Sequence, residues 1–257
     1  MFRLLIGVFL PFFGTCLGAF LVFFFIGEIS SKLNKILLGF SAGVMMASSV
    51  WSLIIPSIKH SEFMGNWSFF PAFCGICLGL IFMVLLDKFC LKISSRASNL
   101  NGSLKGKTRL LFWAVTIHNI PEGMAVGVAF ASAFLAPSEM AIASALAVSI
   151  GIAIQNIPEG AIVSLPLRSE NFSKKKAFCF GVCSGIVEPV FAGITILLTK
   201  FIAPALPYLL SFAAGAMIFV SVGELIPESN DDENSKLGTV SFVAGFLIMM
   251  ILDVALG

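Results

Sequence analysis

Charge is what this 257-residue chain has least of. Asp, Glu, Lys and Arg together supply 12% of it, about half the share usual in a soluble domain. A globule of this size could not cover itself with so few charges, and a disordered chain would need the opposite bias. The basic excess is small too. Sixteen Lys and Arg stand against fourteen Asp and Glu, a net charge of +2, which excludes the one-sided basic face that nucleic acid requires. Only two histidines are present, His60 and His118. The six cysteines, Cys16, Cys74, Cys77, Cys90, Cys179 and Cys183, lie in or beside apolar runs. Cys74-Gly-Ile-Cys77 has no second CxxC partner, so the cysteines read as small packing residues.

Apolar residues are abundant instead. They make up 58% of the chain, 27 of them Phe, and the mean hydropathy is +1.01. That composition belongs to an integral membrane protein. Eight runs are long enough to cross: roughly 4–26, 36–58, 69–87, 110–134, 140–165, 177–199, 203–226 and 237–256. Runs this long without alternation are helices, not barrel strands. The first exceeds a signal-peptide core and no A-x-A site follows it, so it reads as a retained span. The whole of 1–257 is expected to form a single transmembrane domain of eight helices.

The basic residues orient these spans. With the N-terminus outside, the inside receives Lys32, Lys35, Lys88, Lys92, Arg96, Lys105, Lys107, Arg109, Arg168, Lys174, Lys175, Lys176 and Lys236. The outside receives only Arg3, Lys59 and Lys200. Both termini are therefore expected outside, and the hydrophilic loop of about 88–109 reads as a flexible cytoplasmic linker.

Two internal repeats organise the runs. His-Asn-Ile-Pro-Glu-Gly at 118–123 is matched by Gln-Asn-Ile-Pro-Glu-Gly at 155–160. These lie on runs four and five, which cross in opposite directions. Ala42, Gly43, Met45, Ser49, Val50, Leu53 and Ile54 on run two recur at equal spacing as Ala214, Gly215, Met217, Ser221, Val222, Leu225 and Ile226 on run seven. Runs 1–3 and 6–8 thus form an inverted repeat around the pair 4–5, a 3+2+3 bundle of the kind that transporters build around a midplane site.

The acids concentrate the chemistry. Glu122, Glu159 and Glu188 sit near span centres, Glu224 near the inner end of run seven, and His118 joins them. No Lys or Arg lies at comparable depth. An ionised carboxylate in hydrocarbon must face a cavity, bind a cation or take a proton. His118 and Glu122 are four residues apart and share a helix face, with Asn119 on its edge. Gln155, Asn156 and Glu159 repeat that geometry. Pro121 and Pro158 free the carbonyls of Ile117 and Ile154, and Gly123 and Gly160 let another helix come close. Imidazole, carboxylate and amide oxygens around one point suit a borderline divalent metal better than Na+ or K+. Glu188, followed by Pro189, adds a third carboxylate and a third helix break.

His-Asn-x-Pro-Glu-Gly with a second Pro-Glu-Gly resembles the ZIP family of divalent metal transporters, most nearly its bacterial ZupT/GufA-like subgroup. The resemblance covers nearly the whole chain, and Gly-Glu-Leu-Ile-Pro-Glu at 223–228 extends it. It implies transport of Zn2+ foremost, with Fe2+, Mn2+ and Cd2+ also admitted, into the cytoplasm across the cell (inner) membrane. By motif position it implies a first metal site of His118, Glu122, Gln155 and Glu159. A second site would take Asn119, Asn156 and Glu188 and share Glu122 and Glu159, with Glu224 on the exit. Gln155 stands where several members have His, Asn156 where some have an acid, and Gly223 where some have His. Each removes a strong ligand. The metal is cargo, no catalytic cofactor is implied, the lipid bilayer is the other partner, and assembly as a homodimer is left open.

Other residues take simpler readings. His60 reads as a solvated residue of an outer loop, the alternative being metal capture at the entrance; Glu228, Asp231, Asp232 and Glu233 read as a solvated inner loop, the alternative being a metal acceptor on the exit side; and Trp51, Trp67 and Trp113 read as anchors at the membrane interfaces. An intramembrane metallo-enzyme is one alternative, but a zinc hydrolase needs an H-E-x-x-H helix or its like, and Asn follows His118. A proton-coupled transporter of another cation is the other.

Overall fold

The computed structural model describes residues 2–24, 30–97, 106–135, 138–169, 172–198, 203–231 and 236–256. No strand occurs among the described residues. Helix α1 (Phe2–Phe20) tightens into a 3-10 turn at Leu21–Phe23. There follow α2 (Ser31–His60), α3 (Phe69–Ala97), α4 (Gly106–Leu135) and α5 (Glu139–Ser169). Then come α6 (Lys174–Leu197), interrupted at Ile186, α7 (Leu206–Ser229) and α8 (Leu237–Leu256). Seven of these are long and apolar enough to cross a membrane: α1, α2, α3 and α5 to α8. The run expected over 110–134 falls in α4, where His118, Asn119, Pro121 and Glu122 dilute the apolar stretch. The chain is a multi-pass helical membrane protein.

Helix ends depart from the hydropathy boundaries. α2 starts at Ser31 because the Ser30 hydroxyl accepts from Leu33 N at 3.3 Å and caps it, a polar start that hydropathy does not mark. It runs on to His60, which is the last residue of the helix and not a loop residue. α3 continues to Ala97, into the stretch read as the linker 88–109. Residues 88–97 contain no Gly or Pro to stop a helix. Residues 98–105 of that linker, Lys200, and Asp232 and Glu233 of the acidic run lie outside the described residues.

Small residues set the packing. Hydrocarbon supplies no hydrophobic drive between helices, so close backbone contact replaces it. α1 lies on α5, with Gly14 and Gly18 against the backbone at Ala153 and Ile157. α4 lies on α6 through Gly123 and Gly127. α2 lies on α8 through Gly39, Gly43 and Gly245, and α3 on α7 through Gly75, Gly79 and Gly215. Trp51 packs edge-on against Phe246 of α8, with ring centroids 5.5 Å apart, and so helps hold α2 to α8. Trp67 and Trp113 are exposed, as expected of anchors.

Within α2 the segment Ser49–Ile54 is a π-helix, and within α7 so is Ser221–Leu225. Both begin at the repeated Ser-Val pair. Single π turns inside α-helices concentrate at functional sites.

Ion pairs tie the ends of the bundle. Arg3 meets Glu139 at 2.6 Å, which puts the starts of α1 and α5 at one end. At the other end the largely buried Lys35 of α2 meets Asp231, just past α7, at 2.7 Å. Asp231 is thus a partner of a desolvated lysine, beyond the solvated-loop reading. Lys174 Nζ donates to the Phe23 carbonyl at 2.8 Å, tying α6 to the end of α1.

Candidate metal centre

The paired motifs meet in the middle of α4 and α5. His118, Asn119, Glu122, Gln155, Asn156, Glu159 and Glu188 are all buried. Gln155 Nε2 donates to Glu122 Oε1 at 2.9 Å, linking equivalent faces of the two helices. Asn119 Nδ2 donates to Glu188 Oε1 of α6 at 3.0 Å and to the Ser184 carbonyl at 3.1 Å. Asn156 lies beside the carboxyl groups of both Glu122 and Glu188. The Glu122 carboxyl feels the charges of Glu159 and Glu188, and Glu188 feels Glu159. Three acids therefore share one buried neighbourhood.

The glycines of the motifs make the neighbourhood tight. A Cβ on Gly123 would lie 2.4 Å from the Glu188 carbonyl oxygen of α6. A Cβ on Gly160 would lie 2.1 Å from the Thr15 carbonyl oxygen of α1. No side chain larger than hydrogen fits at either place. On α6, the helix is interrupted at Ile186 just before Val187-Glu188-Pro189, and the Glu188 carboxyl lies against Asn119.

Two further helices contribute groups that the sequence reading omits. Thr15 Oγ1 of α1 donates to Glu188 Oε1 at 2.8 Å. Ser41 Oγ of α2 donates to Glu159 Oε1 at 3.3 Å and to the Gln155 carbonyl at 3.2 Å. Ser and Thr are common in membrane helices, so neither carries a signal of its own. Ser41 could have been found only from its place before the repeated Ala-Gly pair.

His118 and Glu224 stand slightly apart. His118 Nε2 is 3.5 Å from Glu224 Oε1. With Glu159 and the exposed Glu228 they line a cavity of about 40 Å3. One water needs about 10–15 Å3 of such space, so this cavity admits a small ion or a few waters. Val126 and Ile152, one turn beyond Glu122 and Gln155, are completely buried in the apolar core.

The lone pairs are what this arrangement leaves over. His118 Nε2, Asn119 Oδ1, Glu122 Oε2, Gln155 Oε1 and Glu188 Oε2 are buried and accept no hydrogen bond, and neither amide atom of Asn156 makes an aligned one. Buried polar atoms are nearly always paired. Among the described residues, no three His, Cys, Asp or Glu side chains are close enough to chelate an ion by themselves. The unpaired oxygens gathered here are carboxylate and amide oxygens, a mixed and moderately hard donor set.

Comparison with known proteins places these residues in a wider group. Residues 101–253, more than half of the chain, match the family model described as ZIP Zinc transporter. Zinc transporter ZIP11 of Homo sapiens is 35% identical over 100% of this chain and 98% of its own length. Zinc transporter ZIPB of Bordetella bronchiseptica is 35% identical over 95% of this chain and 78% of its own. Zinc transporter GufA of Myxococcus xanthus is 34% identical over 90% of each.

Proposed function

The chain belongs to the ZIP family of zinc transporters and carries divalent metal ions across a membrane; on that premise we propose that it imports Zn2+ into the cytoplasm through the buried centre on α4, α5 and α6. The family consists of transporters, not enzymes, and the metallo-enzyme alternative falls with that.

In this reading all eight helices cross the inner membrane and both termini lie outside, α1–α3 and α6–α8 being inverted copies around α4 and α5. His118, Glu122, Gln155 and Glu159 hold the ion at a first site. Asn119, Asn156 and Glu188 hold a second with Glu122 and Glu159 between them, and Glu224 receives the ion on its way out. The observation that carries this is the set of buried acceptors without donors. Cations at the two proposed sites supply partners for these acceptors in the middle of the bundle, where no ion pair to Lys or Arg neutralises the acids among the described residues. The small cavity at His118 and Glu159, with buried apolar residues beyond Glu122 and Gln155, fits a conformation open to the cytoplasm.

The direction is tested by impermeant thiol labelling of intact cells on a cysteine-free background. Glu62→Cys is labelled from outside and Asn230→Cys is not. The reverse pattern would turn import into export.

Selectivity is tested at position 155. An amide oxygen is a harder and weaker ligand than imidazole, so Gln155 admits Fe2+, Mn2+ and Cd2+ beside Zn2+. Gln155→His lowers the half-saturating Zn2+ concentration and narrows the range of competing metals in an uptake assay. The maximal Zn2+ rate falls, because an ion held more tightly leaves more slowly. An unchanged order of competitors and unchanged affinity would remove Gln155 from the ligand set.

A further inference from the structure

A serine in an apolar helix ordinarily turns back on the carbonyl one turn earlier. Ser49 of α2 does so to Met45 O at 2.8 Å, and Ser61, just past α2, to Ser57 O at 3.0 Å. Ser41 of α2 instead reaches across to α5, where its Oγ lies 3.2 Å from the Gln155 carbonyl and 3.3 Å from Glu159 Oε1. Both contacts are long for a hydroxyl donor, and one proton serves the two. Ser41 is completely buried. Leu38, three residues earlier and on the same helix face, lines the cavity at His118 together with Glu159.

Packing alone does not ask for a hydroxyl at this place. In the repeated stretch on α7 the position that answers to Ser41 is Ala213, just before Ala214-Gly215, and it too is completely buried. A methyl group suffices there. What sets the α2 copy apart is the carboxyl group opposite it. Glu159 has the Glu122 charge on one side and the cavity at His118 on the other. An ion needs that carboxyl group in one orientation, and a free glutamate side chain has several. A carboxylate oxygen has more than one lone pair, so Oε1 keeps the Ser41 proton on one and offers another. The Gln155 carbonyl gives the same proton a second acceptor. The carboxyl group can then adjust to an arriving ion without leaving the hydroxyl unpaired.

We propose that Ser41 is a positioning residue for the transported ion: from α2, a helix that supplies none of the ligands, its hydroxyl holds the Glu159 carboxyl in the orientation that binds, and so sets the affinity of the first site. The inference rests on the place given to Glu159 in that site above.

Two measurements test it: Zn2+ uptake at matched surface abundance, and thermal unfolding of the purified protein in detergent over a series of Zn2+ concentrations. Ser41→Ala raises the half-saturating Zn2+ concentration for uptake about tenfold, the lower end of the loss that follows removal of a group orienting a metal ligand. It raises the Zn2+ concentration that gives half of the thermal stabilisation by the same factor. Without metal its melting temperature falls by no more than the roughly 2–4 °C that one hydrogen bond supports. Ser41→Thr keeps the hydroxyl and returns both Zn2+ dependences to the wild-type values. Ser57→Ala is the control, since that buried hydroxyl of α2 donates to the Pro207 carbonyl of α7 at 2.7 Å and touches no acid. It lowers the metal-free melting temperature by a similar amount and leaves both Zn2+ dependences unchanged.

A wild-type Zn2+ dependence in Ser41→Ala overturns the proposal. So does a tighter one, which would make the hydroxyl a competitor of the ion. An equal shift in Ser57→Ala, or a Ser41→Thr protein as stable as Ser41→Ala that recovers nothing, would make Ser41 structural only. Glu159→Ala separates these failures from failure of the site. It weakens the Zn2+-dependent stabilisation further than Ser41→Ala does, and a wild-type stabilisation in Glu159→Ala would remove the site itself, whatever Ser41 does.

Discussion

Zn2+ uptake falls to the level of transporter-free cells when Glu122 or Glu159 is replaced by alanine, while the protein still reaches the membrane. Glu122 receives Gln155, faces Asn156 and feels both other acids. Glu159 joins the central neighbourhood to the cavity at His118. Each serves both proposed sites, so neither variant keeps an intact path. Removing even a residue that merely supports a metal ligand costs about 10–100-fold in affinity, and loss of the ligand itself costs on the order of 100-fold or more. Transport of 65Zn2+ into cells at matched surface abundance measures it. Normal uptake in either variant would sink the two-site reading. Asn119→Ala is the milder comparison, since it also strips a donor from Glu188.

Gly160→Ala destabilises the folded protein even though alanine is the better helix former. The added methyl would stand 2.1 Å from the Thr15 carbonyl and 2.8 Å from Ala19 N, both backbone atoms of α1. Neither can rotate away, so α1 must move off α5. Overpacking costs about 1–3 kcal/mol in a tight core, and a contact against backbone belongs at the upper end. For a chain of this size that is a fall of roughly 6–12 °C in melting temperature. Moving α1 also withdraws the Thr15 hydroxyl from Glu188, so transport falls with stability. Gly193→Ala on α6 is the control: its Cβ would meet nothing within 4 Å, and helix propensity alone makes it neutral or slightly stabilising. Thermal unfolding in detergent micelles compares the two. Equal melting temperatures would mean that α1 and α5 are not held at this distance.

What could be read from the residues followed physical necessity. Acids without a basic partner in an apolar run must converge on something, and Glu122, Glu159 and Glu188 do share one neighbourhood. The glycine after each Pro-Glu pair implied a close helix, and Gly123 and Gly160 each touch one. Other features left no trace in composition. A serine in an apolar run looks the same whether it bonds its own helix, as Ser49 does to Met45 O, or reaches an acid, as Ser41 does. A residue's partners across the bundle depend on helix rotation, and a run apolar on every side carries no phase from which to infer it. His118 shows the cost. Its spacing to Glu122 fixed a shared face, but not that its Nε2 would sit 3.5 Å from Glu224.

The two π segments carry a record of time as well as of shape. A π turn holds one residue more than the α turn it replaces, so each is the mark left by an inserted residue that the helix never expelled. The segments open at Ser49 and Ser221, at the same point of the two related sequence stretches. One insertion in a stretch that was later duplicated would account for both with a single event. Ser52 and Glu224 occupy the same step within the two segments, and there they differ: one is a hydroxyl that donates to Asp253, the other a carboxylate beside His118.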